Sequence, residues 1–178
     1  MNGGKVAAGA LVMLALVAGV AVWWQQEHAY YEPVAFVPGQ EIRLMPIAGD
    51  TPEVIVAENV SGIDADSSPL RFRACFTTPL SQAMLTETYR LYDKPTPLVG
   101  PSWFSCYDAG EITRALESGT ALAFLSEHLP EYGIDRVVAV LPDGRAFAWH
   151  QMNECGSAHY EERALPDGCP PPPAKGKN

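Results

Sequence analysis

The sequence predicts an α+β protein: a single N-terminal transmembrane helix, then a small, mainly antiparallel sheet domain with two or three short helices. Three observations lead there. An uncharged apolar run occupies residues 6–24. Downstream, short β-rich stretches alternate with turn-forming clusters, and two adjacent ones read as a hairpin. Between them lie stretches with helical caps and helical spacing of apolar residues.

The first element is VAAGALVMLALVAGVAVWW, nineteen residues without a charge or a proline. At ~1.5 Å rise per residue it reaches roughly 28 Å, the hydrocarbon thickness of a bilayer. Trp23 and Trp24 end the run, and His28, Tyr30 and Tyr31 follow. Rings with one polar edge favour the head-group level, so Trp23, Trp24, Tyr30 and Tyr31 read as a membrane-interface belt. Lys5 precedes the run, whereas Glu27 and Glu32 follow it, with no basic residue before Arg43. The positive-inside rule then places residues 1–5 in the cytoplasm and the rest of the chain outside. A cleaved signal peptide is the competing reading. Gly19, Val20 and Ala21 offer small residues for cleavage, but the apolar run is longer than a usual signal core.

The next segments follow in order. Pro33, Pro38 and Gly39 make residues 25–40 read as a stalk. Residues 41–47 and 52–57, the latter with Val54, Ile55 and Val56, read as strands. Residues 61–69 are rich in turn formers. Residues 70–77 alternate, with Leu70, Phe72, Ala74 and Phe76 opposite Arg71, Arg73, Cys75 and Thr77, which predicts a half-buried strand. Residues 81–92 predict a short helix. Three prolines make 94–101 irregular. Asp108 and Glu111 have capping-box spacing ahead of Ile112, Ala115 and Leu116, and Gly119 is a natural stop. Residues 120–129 predict another helix, with Leu122, Leu125 and Leu129 inward. The hairpin comprises 136–141 and 146–152 around Pro142, Asp143 and Gly144. From 156 onward periodicity is lost, and 170–178 reads as a Pro-rich flexible tail. The domain therefore spans 41–169.

Composition narrows the function. The net charge is −9. Lys5 is the only charged side chain ahead of the apolar run, so the remainder carries 11 basic and 21 acidic residues, a net −10. Coulomb repulsion on that scale argues against nucleic-acid binding.

Cys75, Cys106, Cys155 and Cys169 all lie beyond the span. An even number in an oxidising compartment predicts two disulfides, and three connectivities are open. Pairing of sequence neighbours, Cys75–Cys106 and Cys155–Cys169, closes the shortest loops and is preferred. Each bridge is worth ~3 kcal/mol when unstrained. No C-x-x-C or C-x-x-C-H occurs, which argues against thioredoxin-like chemistry and haem attachment.

Several groups carry candidate chemistry. His150, Met152 and His159, beside Cys155 and Cys169, are weak metal candidates, since imidazole and sulfur donors suit copper or zinc. Trp103, Tyr107 and Trp149 are candidates for an aromatic ligand pocket, although Trp packing against a disulfide is the plainer reading. Arg71, Arg73, Asp135 and Arg136 admit an anion site but read more simply as strand charges or an ion pair. Asp64 and Asp66 lack EF-hand spacing and suit an Asx turn. No G-x-S-x-G elbow, P-loop or dinucleotide fingerprint occurs. The reading is of a protein without a catalytic constellation or a cofactor.

The Tyr30-Tyr31-Glu32-Pro33 stretch, RFRACF at 71–76, PSWFSCYDA at 101–109 and YGIDRVVAVLPDGRAFAWHQMNECG at 132–156 resemble an uncharacterised family of small, N-terminally membrane-anchored alphaproteobacterial proteins. The resemblance implies a Gram-negative inner membrane with the domain in the periplasm, and it implies no activity. The expected function is that of a membrane-anchored periplasmic accessory or interaction protein, a subunit or assembly factor of an inner-membrane complex. Its expected partners are the lipid bilayer and other inner-membrane or periplasmic proteins. The alternative is a periplasmic metal- or redox-handling protein using His150, Met152 and the cysteines.

Overall fold

An antiparallel sheet sandwiched between two apolar layers follows a long N-terminal helix. The computed structural model describes residues 3–28, 30–129 and 131–173. Helix α1, Gly3–His28, buries none of its residues. It is long and apolar enough to cross a membrane, the property expected of 6–24, and it continues four residues beyond Trp24.

Six strands form the main sheet, in the order β1-β4-β5-β8-β7-β6. They are β1 Glu32–Pro33, β4 Glu58–Asp64, β5 Arg73–Thr77, β8 Arg145–Met152, β7 Ile134–Val140 and β6 Leu122–His128, and every pairing is antiparallel. A separate ribbon pairs β2, Arg43–Leu44, with β3, Glu53–Val54. The β7–β8 hairpin is the one predicted around Pro142, Asp143 and Gly144.

Each face of the sheet has its own cover. On one side the ribbon and helix α2, Gln82–Thr88, lay Ile42, Leu44, Ile55 and Leu85 onto Phe72, Phe76, Phe124 and Val138. On the other, the segment 104–112 entering helix α3, Ala109–Glu117, lays Phe104, Tyr107 and Ile112 onto Val137, Ala139, Phe147 and Trp149. A fully buried side chain of this size is worth ~1.5–3 kcal/mol, so both layers are needed to hold the sheet. Strand β5 is therefore not half-buried. Its Arg73 face is covered as well as its Phe76 face.

The helix caps follow from sequence. Ser81 accepts a hydrogen bond from the Met84 amide at the start of α2. Asp108 accepts from the Gly110 and Glu111 amides at the start of α3. Glu111 does not complete a capping box; its carboxylate pairs with Arg145 at 2.9 Å. Gly119, at φ +71°, stands just past the helix end.

Four further expectations are corrected. Residues 120–129 are not a helix, because β6 occupies 122–128. Leu122 and Phe124 pack on one layer and Ala123 on the other, so the segment is apolar on both faces and hides its period of two. The turn-rich 61–69 begins as strand β4. Gly62 is small because a Cβ there would lie 2.7 Å from the Phe36 ring. Beyond 153 the chain forms helix α4, Glu154–Tyr160, with the Asn153 side chain accepting from the Gly156 amide. Finally, 25–40 is no free spacer. It holds the end of α1 and strand β1, the Val34 amide donates to Gly62 O at 2.9 Å, and Val34 and Phe36 pack on the first layer. Of the expected tail, residues 174–178 lie outside the described residues, and Pro170 O accepts from the Tyr132 hydroxyl at 2.7 Å.

Candidate functional site

The candidates on β8 and α4 do not form a donor set. His150 lies between β5 and β7 and is 5% exposed. Its Nδ1 donates to Pro69 O at 2.8 Å, its Nε2 accepts from Arg136 Nε at 2.9 Å, and its ring stacks on Phe72 at 4.6 Å. Loss of water on burial, and to a lesser extent the nearby Arg136 and Arg73 charges, push its pKa down to about 3, with the Pro69 bond opposing. The imidazole is thus neutral with both nitrogens committed, and neither is free to ligate a metal. Met152 ends β8 opposite Ile134. His159 meets Tyr132 edge-on at 5.2 Å. Cys155 is bonded to Cys169, and Cys75 to Cys106, in the preferred connectivity. Oxidised sulfurs supply no thiolate. Among the described residues, no three His, Cys, Asp or Glu side chains gather as a metal site.

The aromatic candidates also separate. Trp149 is fully buried, Tyr107 is 6% exposed, and Trp103 is a surface residue at 42%. Trp149 and Tyr107 are core, so the three do not line one pocket. Asp64 accepts from the Ala65 amide at 2.8 Å, the local turn use. Its partial burial raises its pKa, opposed by that bond and by Arg136.

The four charges 71, 73, 135 and 136 divide into three structures. Arg136 pairs with Glu127 and lies over Phe72 at 4.3 Å. Asp135, 3% exposed, is the centre of a second cluster. Its Oδ1 accepts from Asn153 at 3.0 Å and meets His128 Nδ1 at 2.6 Å, while Oδ2 accepts from the Tyr92 hydroxyl at 3.0 Å. The Asp135 bond raises the pKa of the largely exposed His128. The pair has the form of an acid–base dyad. Among the described residues, however, no hydroxyl or thiol is hydrogen-bonded to the His128 Nε2, and the Tyr92 hydroxyl already donates its hydrogen bond to Asp135. A cleft of ~440 Å³ runs alongside, lined by Tyr92, Lys94, Gln151, Met152, Asn153 and Glu154 among others, and at that size it suits a small ligand. Lys94 pairs with Glu154 in it.

The third structure is built on Arg73 and joins helix to domain. Arg73 is 3% exposed, and no carboxylate is hydrogen-bonded to it among the described residues. Its Nε donates to Leu98 O at 2.9 Å, Nη2 to Val99 O at 3.0 Å, and Nη1 to Leu70 O and Phe72 O at 2.8 and 2.6 Å. Burial lowers its pKa, opposed by Tyr107, whose ring it overlies at 5.7 Å. The rigid guanidinium fork thus ties the proline-rich segment to strand β5. The Cys75–Cys106 bridge ties the same segment a few residues later. In between, Ser102 donates to the Glu27 carboxylate through its amide at 3.0 Å and its hydroxyl at 3.1 Å, and Trp103 Nε1 donates to Glu27 O. Tyr31 meets Trp103 edge-on at 6.3 Å, and Arg71 lies over the Tyr30 and Tyr31 rings at 5.6 and 5.4 Å. The end of α1 is therefore docked on the domain. Sequence reasoning named the interface aromatics but not this junction. The available signal was Ser102-Trp103 in a segment bounded by prolines and a cysteine.

The model of the Family of unknown function (DUF6446) matches residues 42–170, most of the chain and nearly all of the domain, so the chain belongs to that family. No curated protein and no solved structure matches it.

Proposed function

We propose that this family member is a membrane-anchored accessory protein whose domain works on the periplasmic side of a Gram-negative inner membrane as a subunit or assembly factor of an envelope complex. The observation that carries the reading is α1, a 26-residue apolar helix with no buried residue, bonded at its end to a domain closed by two disulfides. Disulfides persist in oxidising compartments, which supports a non-cytoplasmic domain. Lys5 before the helix and Glu27 and Glu32 after it support the same orientation. Among the described residues the dyad has no hydrogen-bonded nucleophile, and His150 and His159 belong to no common donor set, which favours interaction over catalysis. The test is in-cell crosslinking, mild-detergent extraction and capture of the full chain. Reproducible inner-membrane or periplasmic partners are expected, and a chain recovered without any overturns the accessory role.

A further inference from the structure

The junction carries apolar surface that its own contacts leave exposed. Val99 is 80% exposed and Trp103 is 42% exposed, within one short segment, 98–104. That segment is tied down at several points. Arg73 spends two of its donors on Leu98 O and Val99 O. The Phe104 amide returns to Pro101 O at 3.0 Å, and Cys106 is bonded to Cys75. A buried guanidinium without a carboxylate partner carries a desolvation cost, so its commitment to this loop fixes the shape of an exposed apolar tip. A rigid apolar tip binds with little entropy lost on ordering.

What the tip faces follows from α1. Glu27 holds Ser102 and Trp103 within three residues of Trp24, the last residue of the apolar run. If α1 crosses a bilayer, Trp103 sits at its exit level. Val99 and Trp103 then continue the belt of Trp23, Trp24 and Tyr30, all more than 45% exposed. Indole and phenol rings partition to the head-group layer. Arg71, between Tyr30 and Tyr31, adds one cation at the level of lipid phosphates.

We propose that segment 98–104 seats the domain in the head-group layer of the bilayer beside α1, through Val99 and Trp103. The proposal rests on the membrane reading of α1. The domain is then held against the membrane in one orientation rather than tethered at a distance. The seat is apolar and aromatic with one cation, and the domain is acidic, so phosphatidylcholine suffices and anionic lipid is not required.

The test uses the full chain with native disulfides in phosphatidylcholine vesicles. A fluorophore is attached through Val99→Cys, Leu14→Cys or Asp143→Cys, each in an exposed position. Nitroxide lipids quench it, with the nitroxide near the head group or at mid-chain. The expected result is head-group quenching at 99, mid-chain quenching at 14 and none at 143, in the turn at the other end of the sheet. Adding Trp103→Ala to Val99→Cys should cause a loss of quenching at 99. An unquenched label at 99 with a quenched label at 14 overturns the seat and leaves the anchor standing. An unquenched label at 14 overturns the membrane reading and the seat with it. Unchanged quenching at 99 in the Trp103→Ala background overturns the seat as built on Trp103.

Discussion

Acid should weaken this domain through one buried histidine. The folded pKa of His150 is depressed to about 3, whereas an unfolded histidine titrates near ~6.5. Between those values the unfolded chain binds a proton that the folded chain refuses. Stability therefore falls as pH falls through that window, with a limiting slope of ~1.36 kcal/mol per pH unit. Integrated from pH 6.5 to pH 4, the loss assigned to this residue is ~3 kcal/mol. The perturbation is His150→Gln, whose amide has a donor for Pro69 O and an acceptor for Arg136 but no proton to gain. The assay is urea unfolding of the oxidised protein at each pH, with stability taken from midpoint and slope. The parent should lose ~3 kcal/mol more than the variant over that range. If parent and variant show the same acid limb, His150 is not buried neutral, and the saturation of its nitrogens that removes it as a ligand is wrong.

Other outcomes follow from the same contacts. Arg73→Met should destabilise the domain by ~3–5 kcal/mol, because four carbonyls lose a buried charged donor, whereas Arg71→Met on the half-exposed junction surface should cost under ~1 kcal/mol; denaturant midpoints decide. Replacing Cys75 and Cys106 together by Ser opens a loop of 31 residues, against 14 for Cys155 and Cys169, so the first pair should cost ~3.7 kcal/mol and the second ~3 kcal/mol in thermal or urea unfolding. The raised folded pKa of His128 has the opposite sign to that of His150. Its contribution is full below the unfolded value near ~6.5 and is lost as pH rises through the folded value. Asp135→Asn should lower the His128 pKa, read by NMR titration of its imidazole, and flatten the alkaline limb of stability.

Much of this architecture was legible where one physical cause dominates. The α1 run, the β7–β8 hairpin, the Asp108 cap and the pairing of cysteine neighbours each follow from local chemistry. Misreadings arose where tertiary packing overrides the pattern. In β6, Ala123, Phe124, Leu125 and Ser126 are all buried in succession, and Leu122, Leu125 and Leu129 imitate a helical spacing. A strand covered on both faces has no alternation to read. In β4, Gly62 reads as a turn former, yet its smallness serves Phe36. Helix α4 has no apolar stripe because its approach to the sheet is made by glycines: a Cβ on Gly133 would lie 2.2 Å from Gly156 Cα. The junction was hidden for a different reason. Glu27 and Trp103 are 76 residues apart, and no local rule links a polar residue at a helix end to a distant loop. The Asp135 cluster is likewise assembled from Tyr92, His128 and Asn153, and only the hairpin residue Asp135 stood out beforehand.

In the proposed topology α1 crosses the membrane and the domain lies on the outer side. Asp143, exposed in the β7–β8 turn, offers the most direct test. Full-length Asp143→Cys protein in intact spheroplasts is treated with a membrane-impermeant maleimide, and membrane-retained protein is scored. Labelling of membrane-bound protein before any lysis is the predicted result. Labelling only after the membrane is opened, or labelled protein released free of the membrane, contradicts the account.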